Sequence, residues 1–272
     1  MKEVNFNNIN RDYMFENNNQ VLKIEKDGED FYIKIHLKKE SENLVIFSNG
    51  AYDPSKSNLP VFMRSSWHED FNASCIFIDD KTIHNNKLRI GWGVGTKDRH
   101  YIKDYLEISK LFSELLGVSN KNIIYFGSSA GGFMSLLLAS HHRGSIAVVN
   151  NPQTYVNRYN PISVKKLYSA VFPGMTSQEI LKSYRARLSV TRTFGITKNV
   201  PKTYYIQNRL CLGDMEKHYK PLCHNMDKYK LNTKKINFIL YNNKESGHGP
   251  LGRKTTVNYI NYILSNQNSL LH

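Results

Sequence analysis

The sequence predicts an α/β fold: a doubly wound, mostly parallel sheet led by an antiparallel hairpin. Three observations carry that expectation. Short continuous apolar runs recur along the chain, as in strands covered on both faces. Helix-period segments lie between them, the alternation of a doubly wound sheet. Residues 20–37 alternate apolar and polar about a turn cluster, which reads as a hairpin. A chain of 272 residues suits one large domain over 1–272 and is short for two.

In the hairpin, "VLKIEK" and "FYIKIHLK" are the strands and "DGED" the turn. "NLVIFSNGA" (43–51) and "ASCIFIDD" (73–80) are the next apolar runs, each ending in turn residues. "YIKDYLEISKLFSELLG" (101–117) places apolar residues at helical spacing and stops at a glycine. "NIIYFG" (122–127) is a strand that runs straight into the helical "GGFMSLLLASHH" (131–142). "SIAVVN" (145–150), "TYYIQN" (203–208) and "INFILYN" (236–242) complete the strands. "YKPLCHNMDKYKL" (219–231) and "TTVNYINYIL" (255–264) are helices before and after the last of them. Residues 151–200 show helix-like pieces and no clear strand, so a helical cap or insertion over the sheet is expected there.

Composition narrows the partners. Lys and Arg total 37 against 23 acids, a net charge of +14. That field favours anionic partners: nucleic acid, acidic polysaccharide, phosphorylated cofactors or a membrane surface. A basic surface serving solubility alone fits it too. Zinc-finger spacing, an RRM-type signature and a long basic run are all missing, so no nucleic-acid partner is expected. No apolar run reaches the roughly 18 residues of a membrane span, and "MKEVNFNNINRDYMFENNNQ" is polar, so the expectation is a cytoplasmic protein. Three cysteines make no disulfide framework. Cys75 reads as a core residue of a buried strand. Cys211, His218, Cys223 and His224 fit no common zinc spacing, so no metal is expected.

"YFGSSAGGFMSLLLAS" (125–140) carries the chemistry. G-x-S-x-G alone is a weak signal. Here an apolar strand precedes it and an apolar helix follows, the context a nucleophile elbow requires. The turn lifts Ser129 above the sheet, and side chains at 127 or 131 would crowd it. The helix start offers N–H groups and a dipole to a developing oxyanion. The bland alternative is a phosphate-binding turn. Neither G-x-G-x-x-G nor Gly-Lys-Ser/Thr is present, and "GWGVG" (91–95) reads as a loop. Ser128 is the neighbouring alternative nucleophile, though it holds the intervening position of the motif.

A serine hydroxyl needs a base. In this fold type the order is serine, acid, histidine, with the histidine in a loop after the last strand. His248, between Gly247 and Gly249, has that place. Five acids lie between Ser129 and His248: Glu179, Asp214, Glu216, Asp227 and Glu245. Asp214 lies in the loop after the penultimate strand and is the expected acid, with Glu216 the runner-up. The oxyanion hole is expected from the N–H of Ala130 and that of Ala51, in the Asn49-Gly50-Ala51 turn.

These residues resemble the α/β-hydrolase superfamily over about residues 20–268. More narrowly, "GSSAGG", "FSNGA", "NPQTYV" (151–156), the Asp214-x-x-x-His218 spacing and "SGHG" resemble enzymes of bacterial capsule and surface-glycan clusters, including capsular polysaccharide O-acetyltransferases. The resemblance implies acetyl transfer from acetyl-CoA, through acetyl-Ser129, to a sugar hydroxyl of an anionic polysaccharide. It also implies peripheral association with capsule machinery at the inner face of the membrane. By position, Arg64 and Trp67 are expected substrate contacts, as a clamp for an acid group and a stacking face for sugar. Arg253 and Lys254 could face an anion. His218 could support the acid loop or touch substrate. An esterase or deacetylase would use the same triad. A catalytically dead glycan-binding accessory protein is the third reading, against which the intact trio argues.

Overall fold

The computed structural model describes residues 1–266; the end of the expected domain, 267–272, lies outside the described residues. The chain opens with a short strand, β1 (Lys2–Asn5), and a one-and-a-half-turn helix, α1 (Arg11–Glu16), neither legible in the polar N-terminal sequence. The hairpin follows as β2 (Val21–Lys26) and β3 (Glu29–His36). Its two-residue turn places Asp27 at φ 50° and Gly28 at φ 80°. Positive φ at both positions matches the twist of the flanking strands, so the pairing closes without a bulge.

The parallel part is built from β4 (Leu44–Ser48), β5 (Ser74–Ile78), α2 (Tyr101–Leu115), β6 (Ile123–Ser129), α3 (Ala130–His141) and β7 (Ile146–Pro152). Four helices then intervene: α4 (Pro161–Val171), α5 (Ser177–Ser183), α6 (Arg185–Leu188) and α7 (Val190–Thr197). The chain ends with β8 (Lys202–Asn208), a short turn α8 (Leu212–Asp214), α9 (Lys220–Lys228), β9 (Ile236–Tyr241) and α10 (Arg253–Ser265). The nine strands form one sheet in the order β1-β2-β3-β5-β4-β6-β7-β8-β9. The pairs β2/β3 and β3/β5 are antiparallel, and the remaining pairs are parallel.

Both faces are covered, unequally. On one, α2, α3, α7 and α9 pack over Ile46, Tyr125, Val149 and Tyr205. Helix α3 is buried from Ala130 to Ser140. It is apolar all round because it is enclosed on every side, by the sheet, α2 and α7. The other face is closed by α10 through Val257, Ile260 and Ile263, with the turn Ser65–Asp70 over Phe47 and Phe77. The helices between β7 and β8 share the first face's apolar cluster through Leu167, Phe172, Leu188 and Phe194. Their ends are local in origin: Asn160 caps α4 with Pro161 behind it, and Thr176 with Glu179 forms a capping box on α5.

The chain leaves β4 for β5 on one side, then returns past β4 to β6 on the other. The carboxyl ends of β4 and β6 therefore flank the point where the winding reverses, the place where such sheets form a crevice. Ser48 and Gly127 are register partners there.

Candidate active site

Ser129 is the last residue of β6 and the cap of α3, held at φ 56° and ψ −124°. Such a conformation costs on the order of 1–3 kcal/mol for a residue with a side chain. The surrounding glycines allow it. A Cβ on Gly127 would lie 2.3 Å from the Gly131 carbonyl carbon, and one on Gly131 would lie 2.3 Å from the Ser48 oxygen. The first turn of α3 thus presses on the end of β4. The strain also shifts the β6/β7 register, so that Ser129 stands opposite Pro152.

His248 lies in the loop after β9, half-exposed, and its Nδ1 is 2.6 Å from Oδ2 of Asp214, which is largely buried. Asp214 ends the short turn α8, followed by one wide helical turn, Met215–Tyr219. Glu216, the runner-up acid, is exposed and paired with Lys220. Asparagines fix the histidine loop to the sheet. Asn151 Nδ2 donates to the carbonyls of His248 (3.2 Å) and Gly249 (3.0 Å), and Asn208 Nδ2 donates to that of Gly247 (2.8 Å). Asn150 Oδ1 accepts from the Leu251 N–H at 2.6 Å.

The Ser129 hydroxyl takes its hydrogen bond from Gln153 Nε2 at 3.0 Å, not from His248. Catalytic serine–histidine bonds are often loose without substrate. Gln153 is 1% exposed and is a residue that sequence reasoning missed. Its Oε1 accepts from Trp92 Nε1, and its backbone N–H donates to the Ser129 carbonyl at 3.1 Å. An indole N–H only donates, so it fixes the amide oxygen toward Trp92 and the amide NH2 toward Ser129. Trp92 stands in the "GWGVG" loop at φ 55°, and Asp80 accepts from the Gly93 N–H at 3.1 Å. Burial pushes the Asp80 carboxyl up to about 6. The loop "GWGVG" is thus a brace beneath Gln153.

Ala130 opens α3 and is buried; helix-start N–H groups have no partner within the helix. Gly50 packs on the serine: a Cβ there would be 3.8 Å from Ser129 Cβ. Ala51 follows it and is exposed. Asn49 Oδ1 accepts from the Met63 N–H at 2.9 Å and ties this turn to the segment bearing Arg64.

Arg64 reaches Ser128 Oγ at 2.7 Å and lies over the rings of Trp67 (5.5 Å) and Phe126 (5.4 Å). Burial lowers its guanidinium to about 10. Among the described residues the arginine ion pairs belong to Arg89, Arg99 and Arg253, so Arg64 is a partly buried cation without a carboxylate. Arg253 is engaged by Asp70 through both forks, at 2.6 and 3.0 Å, and Lys254 is exposed. His218 is 2% exposed. Its Nδ1 accepts from the Thr154 N–H at 3.3 Å and its carbonyl from the Thr154 hydroxyl at 2.8 Å, so it holds the turn after β7. Burial pushes its imidazole down to about 4.

The four residues weighed for zinc do not gather. Among the described residues the cluster with ligand atoms within 4.8 Å of one another is Cys211, Asp214 and His248. Burial raises the Cys211 thiol, and the adjacent Asp214 carboxylate helps hold its proton.

Strand order and a strained serine turn define an α/β-hydrolase fold. Solved structures similar to the chain include the capsule O-acetyltransferase of Neisseria meningitidis serogroup A, at 14% identity and TM-score 0.67 over 89% of this chain and 96% of that one. A mutant of that enzyme in complex with CoA matches at 14% identity and TM-score 0.67, over 91% and 96% of the two chains. Carboxyl esterase 2 from Tuber melanosporum matches at 14% identity and TM-score 0.60, over 91% and 86%. At these identities the likeness is one of fold. No protein-family model and no curated protein sequence matches the chain. No helix among the described residues is long and apolar enough to cross a membrane.

Proposed function

We propose that this chain is a serine-dependent O-acyltransferase, moving an acetyl group from acetyl-CoA to a hydroxyl of an anionic capsular or surface polysaccharide. The observation that carries the reading is the His248–Asp214 hydrogen bond at the sheet edge where Ser129 is held at positive φ. Ser129 Oγ attacks the thioester carbonyl while His248 Nε2 takes its proton. Asp214 holds the imidazole by Nδ1 and stabilises the imidazolium. The N–H groups of Ala130 and Ala51 receive the oxyanion. Collapse breaks the carbon–sulfur bond, and the leaving thiolate takes the proton from His248. The sugar hydroxyl then attacks the acyl-serine, giving its proton to His248, which returns it to Ser129 as the ester bond breaks.

Gln153 donates to Oγ and so leaves the serine proton for His248. Arg64, partly buried and without a carboxylate partner, suits an acid group of the acceptor, and the +14 charge draws such a polymer toward the protein. The CoA complex of a fold neighbour supports the choice of donor. The esterase neighbour supports a second reading, hydrolysis by the same residues. Incubation with acetyl-CoA followed by intact mass spectrometry tests the first step: one acetyl group is expected on the protein and none on Ser129→Ala. Acetyl-CoA with a polysaccharide acceptor tests the second. CoA release without sugar acetylation would assign the chain to the hydrolases.

A further inference from the structure

The helices between β7 and β8 carry a second cluster of chemistry. Arg158, Arg185 and Arg192 line one cavity of about 360 Å³, together with Tyr155, Asn225 and Tyr229. The three come from different elements: the turn after β7, α6 and α7. The Arg158 guanidinium lies over Tyr155 at 5.5 Å and that of Arg192 over Tyr229 at 4.4 Å. Arg192 Nη2 also donates to the Tyr229 hydroxyl at 2.9 Å. Among the described residues no carboxylate lines the cavity, and none of these arginines is among those in ion pairs. Three unneutralised cations around one concavity repel one another until an anion sits between them. Guanidinium groups laid on aromatic rings keep their edges for planar, two-point hydrogen bonding, the geometry that suits phosphate.

The cavity also lies close along the chain to the candidate active site. The Tyr155 hydroxyl meets Thr191 Oγ1 at 3.0 Å and Asn225 Nδ2 at 2.7 Å, so α7, α9 and the turn after β7 form its floor together. That turn carries Gln153, and Arg158 is five residues further on. The chain spans at most about 18 Å over that distance. A second cavity of about 740 Å³, between α4 and α5, shares Asn157 and Leu181 with the first, leaving room for the rest of a ligand larger than phosphate.

We propose that this cavity is a phosphate-ester site and that it seats the phosphates of the acyl donor. The site itself rests on the cavity; its assignment to the donor rests on the proposed function. Isothermal titration with CoA, inorganic pyrophosphate and pantetheine, which has the thiol arm without phosphate, tests it. CoA and pyrophosphate bind, more weakly as salt rises. Pantetheine binds at least about a hundredfold less tightly than CoA, and each of Arg158→Ala, Arg185→Ala and Arg192→Ala raises the CoA Kd about tenfold, the loss of one charge-assisted hydrogen bond. Arg192→Lys recovers part of the loss. Thermal melting checks that the variants fold. Should Arg192→Ala fail to fold, the exposed Arg158 and Arg185 carry the test.

A phosphodiester-linked polysaccharide distinguishes the sources. If the variants lose affinity for it and keep CoA, the phosphate site stands and its assignment to the donor is overturned. Unchanged affinity for pyrophosphate, CoA and the phosphodiester polymer in folded variants overturns the site, and pantetheine binding as tightly as CoA overturns its assignment to the donor. Persistent activity of Ser129→Ala would sink the acyl-serine reading and leave the pyrophosphate result untouched.

Discussion

Replacing Gln153 by Glu changes almost nothing in shape and reverses one hydrogen bond. In the native protein Gln153 Nε2 donates to Ser129 Oγ at 3.0 Å, with its orientation enforced by the Trp92 N–H. An ionised Glu accepts from Trp92 equally well but cannot donate to Oγ. It accepts the serine proton instead and competes with His248 for it. The variant therefore loses a donor from the oxygen that must attack and also misdirects the proton. Each effect is worth about tenfold for one mutated hydrogen bond, so the two together are expected to cost about 10²-fold in rate. Gln153→Ala loses the donor without adding a competing acceptor, so a loss of about tenfold is expected from a mutated hydrogen bond. It also leaves the buried Trp92 N–H without a partner, at about 1–3 kcal/mol of stability. The assay is kcat/KM for acyl transfer at neutral pH, with thermal melting to show that both variants are folded at the assay temperature. The expected order is Gln, then Ala, then Glu. A side chain that only filled space would give the reverse, since Glu fits the cavity better than Ala. A Glu variant as active as the Ala variant would refute the reasoning.

Four further outcomes are expected. Gly131→Ala places a Cβ 2.3 Å from the Ser48 oxygen, where only backbone can yield; about 1–3 kcal/mol of stability should go, and activity should fall more than stability because Ser129 moves. Arg64→Met should leave hydrolysis of a small neutral acyl ester within about threefold and raise KM for an anionic acceptor about tenfold or more, since a charge-assisted bond is lost; equal KM for anionic and neutral acceptors would show that Arg64 does not read the acid group. Arg253→Ala should change melting temperature and acyl transfer little, because its partner Asp70 is a surface carboxylate. Stability should fall as pH drops. Burial pushes His218 and His142 down to about 4 and His100 to about 3, so each contributes stability above pH 6.5 that is lost toward its folded value, about 3 kcal/mol for His218. Asp80, raised to about 6, works in the opposite sense, since its stabilising protonated form is lost as pH rises. Melting temperature measured from pH 7.5 to 4 should therefore decline, and less steeply in His218→Asn.

The parallel strands β4 to β8 were legible because each is an apolar run buried almost throughout, as Leu44–Ser48 and Ser74–Ile78 are at every position, and β9 by its apolar run although it is a half-solvated edge. β1 was not: "KEVN" is a half-solvated edge strand whose pairing with β2 depends on contacts that the hairpin must first provide. Residues 151–200 read as helix-like pieces, and four short helices stand there with boundaries set by single caps at Asn160 and Thr176. Asp214 and His248, singled out by chain order, lie within one hydrogen bond of each other. Gln153 escaped because its meaning comes from Trp92, 61 residues away, and from Ser129, 24 residues away. "NPQ" was visible as a string without its chemistry. The Arg253–Asp70 pair spans 183 residues and leaves no local trace. Hydrophobic period reports burial along one element, whereas side-chain partnership is decided after the elements have met.

The asparagine clamps on the histidine loop separate two jobs that loops commonly combine. Asn150, Asn151 and Asn208, all at strand ends, hold the loop through its peptide groups between Gly247 and Leu251. Those contacts read no side chain. The loop can therefore be rewritten at its exposed positions, Lys244, Glu245 and Pro250, while His248 keeps its place. For protein engineering this makes the rim of the crevice exchangeable: a new acceptor preference can be selected there by randomising the loop, provided the three amides beneath it are left alone.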